Sequence, residues 1–474
     1  MPNPDSQSDS QSDSQPDEIF QHLAQAQRIL DEGFAPLPAH AAPTLGQAAS
    51  GILQQVAIRL QDNYPYGHPL YAGQMLKPPH PIARAAYALA MSINPNNHAL
   101  DGGRASSAME IEAVAALAGM FHWPQHLGHL SSGGTFANLE ALWVAGQLHP
   151  GKAIAASDQA HYTHNRISSV LGLPFVTIPS DDRGCMDLAA LEHRLESEEI
   201  GTVVVTLGTT AIGSVDPLDR ILVLQQMHKF RIHIDAAYGG YFTLASNLSL
   251  ETRSAFDAIP HADSIVIDPH KHGLQPYGCG CILFRDPSVG HLYKHDSPYT
   301  YFSSKDLHLG EISLECSRPG ASAVALWATQ RLLPYSAGGE FAQGLESSHT
   351  AATELHRRLS ESPYFLTPAF LPQLDIVFWT INASTPEASS ALAGAVFEQA
   401  ARHDLHLALA KIPARFFSPD TWANLSKNNP DATVTCLRSV LMKPEHLLWL
   451  DHLWQRLDLA VKNVIASIPP SMDL

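Results

Sequence analysis

Apolar residues recur along this chain at two spacings, and the changeovers between them mark out its parts. From residue 85 to about 315, helical patterns such as "EIEAVAALAGMF", "TFANLEALWVAGQL" and "DLAALEHRLESEE" alternate with short β-rich runs, "KAIAAS", "FVTIPS", "TVVVTLG", "RIHIDAAY", "SIVIDP" and "CGCILFRD". Apolar runs separated by amphipathic helices predict an α/β architecture, a mostly parallel sheet covered by helices on both faces. Ligands on such sheets sit at the carboxyl ends of the strands. Upstream, "EIFQHLAQAQRILDEGF" and "QAASGILQQVAIRLQDNYP" carry apolar residues at helical spacing and predict an N-terminal helical arm. Downstream of residue 345 the texture changes to helix, the strand "LDIVFWTI", the helix "ASSALAGAVFEQAARH", the strand "TVTCLRSVLM" and a long final helix from "PEHLLWLDHLW". The opening tract "DSQSDSQSDSQPDE" has too little apolar surface to offset the entropy of ordering it. Four segments are expected: a disordered acidic tail over 1–16, a helical arm over 17–84, a large domain over 85–344, and a smaller α+β domain over 345–474.

Length and charge narrow the function. A chain of 474 residues exceeds the ~250–300 at which single cores stop growing, in keeping with two domains. A net charge of −17 with only 16% charged residues speaks against a nucleic-acid partner and for a small molecule. Five irregularly spaced cysteines do not form a disulfide framework, and no secretory leader pattern opens the chain, so a cytoplasmic location is expected. No apolar stretch reaches the ~18–20 residues of a membrane span.

Chemistry gathers at four strand ends. In "HLSSGGTFANLEAL", Ser132, Gly133 and Gly134 stand directly before a helix, where free N–H groups and the helix dipole suit a phosphate, although an ordinary helix cap has the same residue types. In "RIHIDAAYGGYF", Asp235 ends an apolar strand and needs a cationic or hydrogen-bonding partner, while the small Ala236 and Ala237 leave room for a planar ring. Asp235 is equally readable as a capping residue. In "SIVIDPHKHGLQPYGCGCILF", His270 and Lys271 follow a buried strand, and a partly desolvated lysine is a nucleophile for carbonyl compounds. Cys279 and Cys281 share a face of the next strand, where small packing residues explain them better than a metal site. In "SDQAHYTHNRISSVLGLP", His161 lies past another strand end. A phosphate seat, a carboxylate for a ring nitrogen, a lysine for an aldehyde and an aromatic ring to stack are together the requirements of pyridoxal phosphate.

These residues resemble the pyridoxal-phosphate-dependent group II amino-acid decarboxylases of the aspartate-aminotransferase fold (fold type I). The similarity runs from about residue 65 to 335 through "HPLYAGQM", "SSGGTFANLEAL", "AHYT", "LGTTAIGSVDPL", "HIDAAYGGYF", "DPHKHG" and "SLECSRPGASAVALW", with "CLRSVLMKPEH" similar to the family's small domain. The resemblance implies a seven-stranded sheet and a homodimer with its active site at the subunit interface. It further implies Lys271 as the lysine that bonds the cofactor aldehyde, Asp235 as partner of the pyridine nitrogen, and His161 and Ala237 on the two ring faces. Ser132, Gly133, Gly134 and His270 would lie by the phosphate, and Thr210 near the ring. Tyr293 matches, loosely, a mobile-loop tyrosine that protonates the product in some relatives, with His295, Tyr299 or Tyr301 nearby. Arg318 is a candidate for the substrate carboxylate, with a structural salt bridge equally open; His98 could reach the site from its loop, although a satisfied loop histidine is the safer reading. His272 stands where a tryptophan or tyrosine often follows the lysine, and Arg318 where many members carry an arginine pair. These departures bring the chain nearer archaeal and bacterial branches than the animal aromatic decarboxylases.

Such a site would remove CO₂ from an L-amino acid to give the amine. On the same scaffold the alternatives are an aldehyde-forming lyase, an oxidative deaminase or an aminotransferase. A non-catalytic reading, in which the 26 histidines bind metal or the chain is a regulatory relative, finds no CxxC spacing to support it.

Overall fold

The computed structural model describes residues 14–38, 41, 44–98, 100–197, 199–294, 312–418, 421–422 and 432–467. The arm contains α1 (Ser14–Phe34), α2 (Ala48–Leu60) and α3 (Pro81–Met91). Most of the expected tail lies outside the described residues, and its last three positions, 14–16, already belong to α1. Helix α3 starts with proline at its first position, and the His80 side chain accepts the Ile82 N–H, so its first turn is capped.

The large unit alternates strand and helix: α4 (Arg104–Met120), β1 (Leu127–Ser131), α5 (Gly134–Leu148), β2 (Ala153–Ser157), α6 (Thr163–Leu171), β3 (Phe175–Ile178), α7 (Leu188–Ser197), β4 (Ile200–Thr206), α8 (Leu218–His228), β5 (Arg231–Asp235), α9 (Leu250–Asp257), β6 (Ser264–Ile267) and β7 (Gly280–Phe284). Its seven strands take the order β1-β7-β6-β5-β4-β2-β3. Only β7 runs against the others, pairing antiparallel with β1 and β6. Every residue of β2, β4, β6 and β7 is buried, which is why these strands read as unbroken apolar runs. Ile265 and Ile267 point into one core with Val203, Val205, Ile232 and Ile234, while Val266 faces the other way onto Ala137, Ala141 and Val144 of α5. The expected mostly parallel α/β sheet is the one found.

A second sheet, β8 (Phe365–Leu366), β9 (Ile376–Ile381), β10 (Ala408–Pro413) and β11 (Thr433–Val440), is antiparallel throughout in the order β10-β11-β9-β8. Between the two sheets come α10 (Gly320–Leu332) and α11 (Glu340–Glu361); α12 (Pro386–Ala401) and α13 (His446–Ala466) cover the second. The expected boundary at 344/345 falls inside α11, not in a linker. Phe341, Ala342 and Leu345 at its start pack in the first core, and Ala351, Ala352, Leu355 and Leu359 pack in the second. One helix thus joins both cores. The arm boundary at 84/85 is also crossed by a helix, α3, which packs on α10, and Leu70 and Ala72 of the arm lie in the second core.

Candidate active site

The carboxyl ends of β1, β2, β4, β5 and β6 converge on a cavity of about 460 Å³. Ser132, Gly133, Gly134, His161, Thr210, Asp235, Ala237, His270 and Lys271 all line it, so nine residues from five separate strand ends meet in one place. Parallel strands make this possible, because their ends and the loops that follow share one edge of the sheet.

Its first wall is the start of α5. Gly133 has φ +152°, a backbone conformation that a side chain would strain, and a Cβ added at Gly134 would stand 2.7 Å from Asp268 Oδ2. Gly280 at the head of β7 is held as closely, since a Cβ there would meet the Gly133 Cα at 2.6 Å. Backbone is thereby brought against backbone beneath the helix N-terminus. The first N–H groups of α5 have no partner within the helix and open on the cavity, an arrangement suited to an anion. Beside them the His270 Nδ1–H donates to the Cys279 carbonyl at 2.8 Å, and burial lowers the pKa of that ring.

Across the cavity, Asp235 is 6% exposed. Its Oδ2 accepts from His164 Nε2 at 2.8 Å and its Oδ1 from the Ala237 N–H at 3.2 Å. Burial alone would raise its pKa, but the His164 hydrogen bond, the charge of Lys271 and the Ala237 N–H outweigh burial and hold the carboxyl well below the usual range. Lys271 Nζ lies 3.2 Å from Asp268 Oδ2, while Asp268 Oδ1 is buried with no hydrogen-bond partner among the described residues. His161 shares a hydrogen bond with Thr163 Oγ1 at 2.7 Å and stacks on Tyr162 at 4.5 Å, and burial lowers its pKa.

Three candidate residues stand outside the lining of this cavity. Arg318 is sealed away from the cavity: its Nη1 donates to Glu110 Oε1 at 2.6 Å and to the Leu130 carbonyl at 2.7 Å, leaving its charge committed to the fold. Tyr293 packs edge-on against Trp143 at 4.9 Å, with its hydroxyl on Glu140, in a core cluster that does not open on the cavity. His98 also stands outside the cavity lining, with its N–H on Asn96 Oδ1 and its Nδ1 buried without a partner. His295, Tyr299 and Tyr301 lie outside the described residues.

Two contributors were not foreseen. His164 follows His161 by three residues, a spacing that puts both on one side of the same turn. Tyr238, which lines the cavity, donates its hydroxyl to Asp375 Oδ1 at 2.5 Å, and His272 Nε2 is 3.3 Å from Asp375 Oδ2. Asp375 stands just before β9, so this buried carboxylate ties the cavity to the second sheet. A partner 137 residues away carries no local signal. Among the described residues no group of three His, Cys, Asp or Glu side chains is placed to hold a metal ion, and no helix is long and apolar enough to cross a membrane.

The family profile described as the pyridoxal-dependent decarboxylase conserved domain matches residues 147–380. A protein named probable L-tyrosine/L-aspartate decarboxylase from Methanocella arvoryzae is 31% identical over 274 residues, which is 57% of this chain and 69% of the relative. The chain belongs to the pyridoxal-dependent decarboxylase family. The L-tyrosine decarboxylase of Enterococcus faecium is 28% identical over 419 residues, covering 66% of this decarboxylase and 68% of the relative. Two solved structures share the fold: Oryza sativa TDC with PLP and tryptamine, at TM-score 0.76 and 17% identity over 94% of this chain and 98% of that one, and mouse CSAD in apo form, at 0.74 and 20% over 92% and 91%. The decarboxylase uses pyridoxal phosphate and removes CO₂ from an amino acid. Its residues fit that cofactor. The cavity offers an amine, an ionised carboxylate, a glycine cradle at a helix N-terminus and an orphaned buried oxygen on Asp268.

Proposed function

We propose that this decarboxylase converts an aromatic L-amino acid, tyrosine first among the candidates, into the corresponding amine and CO₂. The observation that carries the reading is the facing of Lys271 and Asp235, from the ends of β6 and β5, across one cavity closed by the start of α5. Tyrosine is favoured by the names of the relatives from E. faecium and M. arvoryzae and by the apolar Phe136 and Leu139 in the cavity wall.

Bound there, pyridoxal phosphate supplies an aldehyde for the substrate amine and a ring that takes up the electron pair left by departing CO₂. The Lys271 amine would hold the cofactor through its aldehyde, in the place the substrate's own amine would come to occupy. Asp235 faces the ring nitrogen, and its negative charge favours the protonated form, each pKa unit amounting to roughly 1.4 kcal/mol. His161, its pKa lowered by burial and its ring held by Thr163, would stack on one ring face, and the small Ala237 would lie against the other. Ser132, Gly133, Gly134 and the start of α5 take the phosphate, with His270 beside it, and Thr210 borders the ring. Lys271, standing beside the position of the aldehyde, would be placed to supply the proton that replaces CO₂ at the substrate Cα.

The same reading includes a homodimer. Helix α2 has no buried residue and presents Ile52, Leu53, Val56, Ile58 and Leu60, 46–65% exposed, an apolar surface suited to a second copy. A reducing cytoplasm suits five free cysteines.

The test is a screen of the common L-amino acids with cofactor-loaded protein, scoring CO₂ and amine. Release of tyramine and CO₂ from tyrosine, well above any release from aspartate, is expected. An aldehyde, ammonia or a keto acid as the main product, or a preference for aspartate, would overturn the proposal.

A further inference from the structure

Asp235 has a partner for which the proposed chemistry finds no use. His164, in the first turn of α6 and with only 1% of its side chain exposed, places Nε2 at 2.8 Å from Asp235 Oδ2. Its Nδ1 is buried and has no hydrogen-bond partner among the described residues. A carboxylate can only accept, so Nε2 carries the hydrogen and donates it to Asp235. The Ala237 N–H holds the other oxygen at 3.2 Å. One contact per oxygen fixes the plane of the carboxylate, where the Ala237 contact alone would leave it free to turn. Each oxygen keeps acceptor capacity toward the cavity.

We infer that His164 is a positioning residue that holds Asp235 ionised and in one orientation opposite the ring nitrogen of bound pyridoxal phosphate. The inference rests on the role proposed above for Asp235. Hydrogen bonds to the ionised form favour it, and a fixed charge aimed at a protonated nitrogen stabilises it better than a mobile one. Four other titratable groups surround the pair. His161, Lys271 and Asp268 face it from the cavity side, and His233 lies beneath it on β5. Burial lowers the His233 pKa to about 3, and its Nε2–H donates to Asn138 Oδ1 at 2.8 Å, so it stays neutral and leaves the task to His164.

The experiment compares holoenzymes of the wild type, H164L, H164Q, H164N and D235N by pH titration of the visible absorbance of the bound cofactor, by cofactor affinity, and by kcat and KM. In H164L the absorbance transition moves by about one pH unit, cofactor binding weakens roughly tenfold and kcat falls roughly tenfold with little change in KM. H164Q, whose amide N–H reaches the same oxygen, recovers most of each change. H164N, too short to reach, behaves like H164L and replaces it should the leucine variant not fold. If D235N moves the transition but H164L and H164N leave both it and kcat at wild-type values, His164 only fills space and the inference is overturned. If D235N also leaves the transition in place, the role of Asp235 itself fails.

Discussion

Glu110 and Asp268 are both buried carboxylates beside a cation, but their surroundings differ. Glu110 is closed. Its Oε1 accepts from Arg318 Nη1 at 2.6 Å and from the Leu130 N–H at 3.0 Å, and its Oε2 from Asn97 Nδ2 at 2.6 Å. Asp268 is open, with Lys271 and His270 at 3.2 and 3.6 Å from Oδ2 and no partner for Oδ1. A buried group normally finds its partners within the fold, and at the cavity wall the unpartnered Asp268 oxygen is left to meet a ligand. Closed networks hold β1 to the loop before α10 in this chain, and open ones mark the edge of the sheet where chemistry occurs.

That contrast sets the order of expected effects. On the open side, Asp235→Ala should lower turnover about a thousandfold or more while the protein still binds some cofactor and unfolds near the wild-type urea midpoint; near-normal turnover would break the contrast. On the closed side, Glu110→Ala strands the Arg318 charge and should cost about 3–5 kcal/mol of stability, read from urea unfolding of the cofactor-free protein. If Glu110→Ala instead left stability intact and abolished substrate binding, Arg318 would return to the site.

Buried histidines outside the cavity lining give a pH dependence. Burial lowers the pKa of His446 to about 4 and of His233 to about 3, against 6.5 for the unfolded chain. Below pH 6.5 the unfolded state binds protons that the folded state refuses, so stability falls as pH drops and levels off only below each folded value. Each histidine should remove roughly 1.4 kcal/mol per pH unit within its window. Urea midpoints of the apoprotein at mildly acidic and neutral pH measure this, and a flat profile would show these groups are not held neutral. The smallest effect belongs to the surface. Arg357 and Glu361 pair at 2.6 Å on an exposed face of α11, and Glu361→Ala should leave both stability and turnover unchanged within error.

How much of this was legible beforehand follows the same division. Strands buried on both faces announced themselves as apolar runs. Strand β1, "LGHLS", did not, because it carries a histidine whose burial depends on Glu140, 2.9 Å away. The edge strand β10, "ALAKIP", was hidden by its alternation and terminal proline. The open residues were legible because strand-end motifs bring their chemistry to one edge whatever the packing beneath. Arg318, left open between two roles, and Tyr293 were hard to place for the opposite reason. Their roles depend on partners 208 and 153 positions away, and a motif position does not reveal whether a charge or hydroxyl is already spoken for. His164 lay in plain view beside His161, but only the approach of α6 to β5 shows that it meets Asp235.

The most direct test of the central claim is borohydride reduction of the protein loaded with pyridoxal phosphate, followed by peptide mass spectrometry. The expected result is one cofactor per chain, attached at Lys271 and absent in Lys271→Ala. Attachment at another lysine, or none in protein that decarboxylates its substrate, would contradict the account.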